Sequence, residues 1–114
     1  MCIICQIINK ELPSKVVYEN EDVICFHDIA PEAPVHILLA PKKHYADILE
    51  MSSSRDGKKD MGAVLDAVKE IASLLPLEEG FRIINNCREL GGQTIFHVHF
   101  HILGGVAETT KNNC

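Results

Sequence analysis

The sequence predicts a single α+β domain: a five-stranded antiparallel sheet with one long helix and a short N-terminal helix. Three observations predict this class. Five short apolar segments have the length and residue types of strands, and most follow one another without an intervening helix. A sustained helical stripe of apolar residues occurs in one segment alone. A chain of 114 residues has the usual size of one domain, so we expect 1–114 to form one unit.

The first half of the chain predicts a short helix followed by three strands. Apolar residues run through 2–9, which is typical of a helical turn, and Pro13 ends that segment. The first two strands are separated by Asn-Glu-Asp and therefore predict a β-hairpin. Two prolines prevent regular structure in 29–34, and Pro41 closes the third strand. The three predicted strands are 15–19, 23–28 and 35–40.

The second half predicts a linker, the long helix and two more strands. The segment 52–60 is polar and predicts a linker. An apolar stripe at helical spacing then predicts a helix over 61–75, which Pro76 ends. The stripe consists of Met61, Val64, Leu65, Val68, Ile71, Ala72 and Leu75. The last two predicted strands are 81–86 and 96–103, with the loop 87–94 between them.

Composition excludes several classes of partner. The net charge is −5 and no basic run is longer than two residues, so we expect no binding to nucleic acid polymers. No signal peptide and no apolar run of membrane-spanning length is present, which predicts no membrane partner. Five cysteines is an odd number, and it favours free thiols or a metal site over a disulfide framework. We therefore expect a cytoplasmic protein.

The segment 97–105, HVHFHILGG, contains three of the six histidines. Because side chains alternate along a strand, His97, His99 and His101 are predicted to share one face and line a cleft. Successive imidazoles would then be about 6.5–7 Å apart at their bases. The other face is predicted to pack on the core under the long helix, and it carries Val98, Phe100 and Ile102.

Three interpretations of this histidine row are open. It is a solvated polar face, a catalytic metal site that uses two histidines at i and i+2, or a site of nucleophilic and acid–base catalysis by imidazole. Gly104-Gly105 and Gly91-Gly92 flank the row and let backbone approach a ligand. The second pair also brings Gln93 and Thr94, both donors, towards the cleft. These features favour catalysis on a small anionic group such as a phosphate.

Two blocks of the chain resemble the histidine-triad (HIT) family. HVHFHIL fits the family's His-x-His-x-His-x-x motif with apolar x. The block VICFHDIAPEAPVHILLAPKKH (23–44) is similar to the first block of the nucleotide-binding branch, and GGQTIFHVHFHILGG (91–105) is similar to the second. The Gly-Gly after the triad favours this branch over the fragile-histidine-triad branch. The resemblance covers nearly the whole chain.

The resemblance implies a hydrolase of purine nucleoside 5′-phosphoramidates or related nucleoside monophosphate adducts. His99 matches the nucleophile that attacks the α-phosphorus and forms a nucleotidyl-histidine intermediate. His101 matches the residue that contacts the phosphate and helps the leaving group, and His97 matches the residue that orients the nucleophile. The family also implies a homodimer that forms through 61–75 and 81–86. The alternative is a non-catalytic regulatory module that only binds purine nucleotides such as AMP or GMP.

The resemblance also assigns a nucleotide site. Asp28 matches the carboxylate that accepts hydrogen bonds from the ribose hydroxyls. The family's base-pocket walls correspond here to Phe26, His27 and Ile29. Its polar residues on the phosphate side correspond to Asn86, Gln93 and Thr94. The chain departs from the family at Asn85, where relatives often carry an apolar residue. It also departs in its tail, 106–114, which has no aromatic residue.

Cys2 and Cys5 form a Cys-x-x-Cys pair, a spacing at which two thiolates can bind one zinc ion. A redox pair is the rival interpretation, although no βαβ context surrounds it. A third interpretation is that the two cysteines only pack in an apolar turn. His44 and His97 would complete a Cys₂His₂ tetrahedron, and some bacterial histidine-triad proteins carry zinc in this way. We therefore predict a structural Zn²⁺ held by these four residues.

Overall fold

The domain is a five-stranded antiparallel sheet with strand order β1-β2-β3-β5-β4. The structure is a computed structural model that describes residues 2–105; Met1 and the tail 106–114 lie outside the described residues. In chain order the elements are α1 (Ile3–Ile8), β1 (Val16–Glu19), β2 (Val23–His27), β3 (Val35–Pro41), α2 (Ile48–Ser52), α3 (Arg55–Leu74), β4 (Arg82–Ile84), a 3₁₀ turn (Glu89–Gly91) and β5 (Phe100–Gly104). The predicted fold class is confirmed.

Strand pairing places the last histidine of the triad on an interior strand of the sheet. The predicted hairpin is present, and Asn20 shapes its turn because its Oδ1 accepts the backbone N–H groups of Asp22 and Val23. β5 lies between β3 and β4, so His101 is opposite Leu38 on one side and Ile84 on the other. Both neighbouring strands therefore limit where the His101 ring can lie.

The long helix begins earlier than predicted, at Arg55, and the segment 52–60 is not a linker. The Ser54 hydroxyl accepts the Gly57 backbone N–H at 2.9 Å, which caps the helix. Gly57 also lies against α2, because a Cβ at this position would be 1.7 Å from the carbonyl oxygen of Met51. Most of the polar residues that predicted a linker, 55–60, form the first turns of this helix, and Ser53 and Ser54 connect it to α2. The short helix α2 was not predicted.

The two faces of the sheet have separate apolar clusters. The face under α3 buries Val98, Phe100 and Ile102 together with the helix side chains Val64, Ala67 and Ile71. This confirms the prediction that the apolar side of the triad segment packs under the long helix. The opposite face carries α1, whose Ile4 and Ile7 pack with Ile24, Phe26, Leu38 and Ala40. The functional histidines therefore share their face of the sheet with α1.

The last strands are shorter than predicted. β5 begins at Phe100, so His97 and His99 precede the paired strand. β3 continues to Pro41, but its pairing with β5 stops at Leu39 and Phe100. The segment is instead held by the Val98 N–H, which donates to the Tyr45 carbonyl at 2.7 Å. β4 covers only Arg82–Ile84 of the predicted 81–86. Across residues 2–105, no helix has both the length and the apolar character that a bilayer crossing requires.

Candidate active site and metal centre

The three triad histidines point to two different places. The rings of His99 and His101 meet edge to face, with centroids 5.1 Å apart. His97 is 0% exposed, and its ring packs at 4.8 Å against the ring of His44. The expectation that all three line one cleft is therefore wrong for His97. The His97 ring lies beside Cys2 and Cys5 at the start of α1, on the side of the sheet that α1 covers.

One hydrogen bond of the ring and one of the backbone hold His99 in place. Its Nδ1 donates to the carbonyl oxygen of His97 at 2.8 Å. In the neutral ring, Nε2 then holds the lone pair. The Asn85 side chain donates to the carbonyl oxygen of His99 at 2.9 Å, which ties this residue to the end of β4. The departure of Asn85 from the family pattern thus has a role in the site, one that sequence reasoning did not assign.

A fourth histidine, His36 on β3, orients His101. His36 is buried, and its Nδ1 accepts the backbone N–H of Glu32 at 3.0 Å. Its hydrogen is therefore on Nε2, which lies 3.0 Å from Nδ1 of His101. When His101 accepts this bond, its own hydrogen is on Nε2. Sequence reasoning missed His36, and the available signal was a histidine inside an otherwise apolar strand.

Asp28 connects this histidine pair to a large cavity. Its Oδ1 accepts the Ala30 backbone N–H at 2.8 Å, and its Oδ2 lies 3.4 Å from Nε2 of His36. The cavity has a volume of about 840 Å³, and its walls are mainly apolar. Three of the predicted base-pocket residues line it, together with two residues of α1: Phe26, His27, Ile29, Ile3 and Ile7.

The charge state of His101 depends on four neighbours. Burial lowers the pKa of His101, and the adjacent His99 and His36 lower it further. The carboxylates of Asp28 and Glu32 oppose this by raising the pKa of His101. Burial disfavours the imidazolium form, whereas nearby anions favour it. The two carboxylates are therefore the groups that support a protonated His101.

The predicted phosphate-side residues lie in different surroundings. The Gln93 side chain stabilises its own loop and joins it to the segment before α2. Its Oε1 accepts the Arg88 N–H, and its Nε2 donates to the carbonyls of Ala46 and Ile95. Thr94 is exposed and borders a second cavity of about 490 Å³. Asn86 is half-buried just after β4. Contact between these three side chains and a phosphate stays a prediction.

Two cysteines and two histidines meet beside the triad. The donor atoms of Cys2, Cys5, His44 and His97 all lie within 4.8 Å of one another. Nδ1 of His97 is 3.4 Å from the Cys2 sulfur, 3.5 Å from the Cys5 sulfur and 3.1 Å from Nδ1 of His44. A zinc tetrahedron with usual bond lengths has N···N edges of about 3.3 Å and S···N edges of about 3.6 Å. The cluster therefore has the size and donor set of a Cys₂His₂ zinc site.

The protonation states in this cluster also suit a metal. Nε2 of His97 donates to the Pro41 carbonyl at 2.8 Å, which leaves the Nδ1 lone pair directed at the cluster. Burial lowers the pKa of His97 to about 4, so the ring is neutral at pH 7. Burial, with Cys2 as its neighbour, raises the pKa of Cys5 to about 11. A cation is the group that would stabilise the thiolate here.

Known proteins are similar to this chain in sequence and in fold. The family model for the HIT domain matches residues 9–108. An uncharacterized HIT-like protein of Synechococcus elongatus is 43% identical over 100 residues, which are 88% of this chain and 86% of the relative. A HIT family hydrolase from Legionella pneumophila has a TM-score of 0.85 and 38% identity, and the match covers 92% of this chain and 93% of that one. A histidine triad nucleotide-binding protein from Candida albicans has a TM-score of 0.80 and 32% identity, with 90% and 73% covered.

The sheet topology, the paired rings of His99 and His101 and these matches define a histidine-triad protein. The chain belongs to the HIT family. It has the fold that the family's hydrolases and nucleotide-binding proteins share.

Proposed function

We propose that this protein hydrolyses purine nucleoside 5′-phosphoramidates, or related nucleoside monophosphate adducts, through a nucleotidyl-histidine intermediate. One observation carries the proposal: neighbouring hydrogen bonds give His99 and His101 opposite tautomers. Nε2 of His99 holds a lone pair, as a nucleophile requires, and Nε2 of His101 holds a hydrogen, as an acid requires. The two rings are in contact, so both can reach one phosphorus centre.

The reaction follows from these two nitrogens. Nε2 of His99 attacks phosphorus while the P–N bond breaks, and the departing amine takes a proton from Nε2 of a doubly protonated His101. Water then attacks the His99 adduct: its hydroxyl goes to phosphorus, and its other proton returns to His101. The Nε2–P bond breaks and His99 recovers its lone pair. The products are an amine and a nucleoside monophosphate, and the protein is unchanged.

The cavity beside Asp28 suits the nucleoside. Its apolar walls match a base, and the Asp28 carboxylate at its edge can accept hydrogen bonds from ribose hydroxyls. A nucleotide-binding relative of the same fold supports this assignment. Apolar walls discriminate weakly between similar rings, so AMP and GMP are both candidate ligands.

The competing function is a regulatory module that binds purine nucleotides without turning them over. It uses the same cavity, and it predicts binding of AMP or GMP without chemistry. Two adjacent rings held in opposite tautomers favour the enzyme, because binding a phosphate alone does not require a free lone pair at Nε2 of His99.

Turnover separates these functions. Incubation with an adenosine 5′-phosphoramidate carrying a fluorogenic amine should release the amine over many cycles. Quenching without acid, with a ³²P-labelled substrate, should leave label on the wild-type chain. Tight binding of AMP without amine release would support the regulatory module instead.

We further propose that Cys2, Cys5, His44 and His97 hold a structural Zn²⁺. The interatomic distances and the free Nδ1 of His97 support this assignment over a redox pair. Four protein ligands close the coordination sphere, so such an ion stabilises the fold and does not activate water. The four described cysteines outside the tail are free, which fits action in the cytoplasm.

The chain should be a homodimer that forms through α3 and β4. β4 is the edge strand of the sheet, and Ile83 there is 47% exposed. Leu65 and Leu74 on α3 are also exposed. Light scattering at micromolar concentration should give twice the chain mass, and Ile83→Asp should reduce that mass to one chain. Leu90→Asp is the matched control, because Leu90 is fully exposed on the loop after β4. A wild-type monomer would contradict the prediction.

A further inference from the structure

We infer that Asp28 is a positioning residue for the leaving-group proton as well as a ribose ligand. Its carboxylate accepts the Nε2 hydrogen of His36 whenever His101 carries hydrogens on both ring nitrogens. This rests on the proposed function, and it gives the nucleoside-binding carboxylate a share in the acid step.

The hydrogen bonds of His36 leave it a single hydrogen. Its Nδ1 accepts the Glu32 backbone N–H, so the only ring hydrogen is on Nε2. That nitrogen faces two acceptors, Nδ1 of His101 at 3.0 Å and Oδ2 of Asp28 at 3.4 Å. The donor atoms of all three side chains lie within 4.8 Å of one another. The His36 hydrogen therefore has two possible partners in one cluster.

Acid catalysis by His101 requires Asp28 as the acceptor of the His36 hydrogen. For His101 to lose a proton from Nε2 and remain a neutral imidazole, it must first carry a hydrogen on Nδ1 as well. Nδ1 then stops accepting, and two hydrogens would face each other between His36 and His101. Redirecting the His36 hydrogen to Asp28 removes this conflict and places an anion beside the imidazolium. Only 2% of the His36 side chain is exposed, which excludes water as the usual replacement acceptor.

Among the described residues, two titratable neighbours of His101 oppose its positive charge and two favour it. His99 lies two residues before His101 and His36 lies on β3, and both oppose a positive charge on His101. Asp28, just after β2, and Glu32, in the loop before β3, favour that charge. Glu32 is exposed and Asp28 is largely buried, with 18% of its side chain accessible. Asp28 is therefore the carboxylate least screened by solvent.

The test compares Asp28→Asn with wild type on two substrates of the same nucleoside 5′-phosphate. One carries an alkylamine, which needs a proton to leave, and the other carries 4-nitrophenol, which does not. The asparagine side chain keeps an oxygen for the Ala30 N–H, so the turn is preserved. We expect kcat for the amine to fall at least about tenfold and kcat for the nitrophenyl ester to change less than about twofold, since acid assistance matters only for the first. KM should rise for both because ribose contacts weaken.

The pH profile provides a second readout. The high-pH limb of kcat for the amine should move to lower pH in Asp28→Asn, because the variant lacks the anion that supports protonated His101. A 2′,3′-dideoxy amine substrate on wild type should raise KM without moving that limb. Equal kcat losses on both substrates of Asp28→Asn, or an unmoved limb, would overturn the inference.

A measurement without turnover keeps the inference separate from the proposed function. NMR titration of His101 in the ligand-free protein should give a lower pKa in Asp28→Asn than in wild type. In a His36→Gln background the same Asp28 substitution should shift kcat less than about twofold, since the relay through His36 is already gone. If wild type turns over neither substrate, the proposed function fails while the His101 titration still decides the role of Asp28.

Discussion

Replacing His99 with alanine should abolish turnover while nucleoside monophosphate binding remains largely intact. The substitution removes the Nε2 lone pair of the proposed nucleophile, whereas the cavity and Asp28 are unchanged. We expect kcat to fall at least about 100-fold, which corresponds to about 2.7 kcal/mol or more of transition-state stabilisation. Stopped assays with the phosphoramidate measure the loss, and calorimetry with AMP checks that the site still folds.

His101→Gln is the matched control for this experiment. It should slow cleavage of the alkylamine strongly and cleavage of the 4-nitrophenyl ester much less, because a good leaving group needs no acid. His99→Ala should lose both activities and should carry no ³²P label. Retention of more than about one per cent of wild-type kcat by His99→Ala would show that another group is the nucleophile.

Disrupting the proposed zinc site should have the largest effect on stability. The double variant Cys2→Ser, Cys5→Ser, and chelation of the wild type, should each lower the melting temperature, because structural zinc contributes several kcal/mol to folding. The thiols cap and line the first turn of α1, so this helix should loosen together with His97. Activity should fall only in part, since His101 keeps its hydrogen bond to His36 and the Asn85 side chain still holds the backbone at His99.

Cys87→Ser controls for the loss of a thiol as such, because Cys87 is half-buried in a loop and is not one of the four cluster residues. It should leave the melting temperature and the metal content unchanged. Freshly purified, untagged wild type should contain close to one zinc per chain. Less than about a tenth of an equivalent, or a double variant as stable as wild type, would make Cys2 and Cys5 ordinary packing residues.

Several features of the protein follow from the sequence alone. The alternation of Val98, Phe100 and Ile102 with histidines determines which side of the last strand is buried, because strand geometry has a period of two. The spacing of Cys2 and Cys5 places two sulfur atoms, both able to bind a metal, at the first turn of a helix. The turn residues between the first strands determine the hairpin. All these patterns act between near neighbours in the chain, so local residue types are sufficient to predict them.

Other features depend on contacts between distant segments. The pairing of β3 with β5 brings His36 beside His101, 65 residues apart in sequence, and no local pattern encodes that pairing. The start of the long helix at Arg55 is instead local: Ser54 caps it and Gly57 fits against Met51 of the preceding helix, whereas the polar composition of 52–60 alone predicted a linker.

The position of the His97 ring depends on two distant segments. The Pro41 carbonyl accepts the Nε2 hydrogen of His97, which leaves the Nδ1 lone pair directed at Cys2 and Cys5. The sequence contains the histidine and cysteine side chains that are able to form hydrogen bonds or bind a metal. Strand register and close backbone approach decide which of them meet, because a hydrogen bond or a metal ligand requires atoms within a few ångströms.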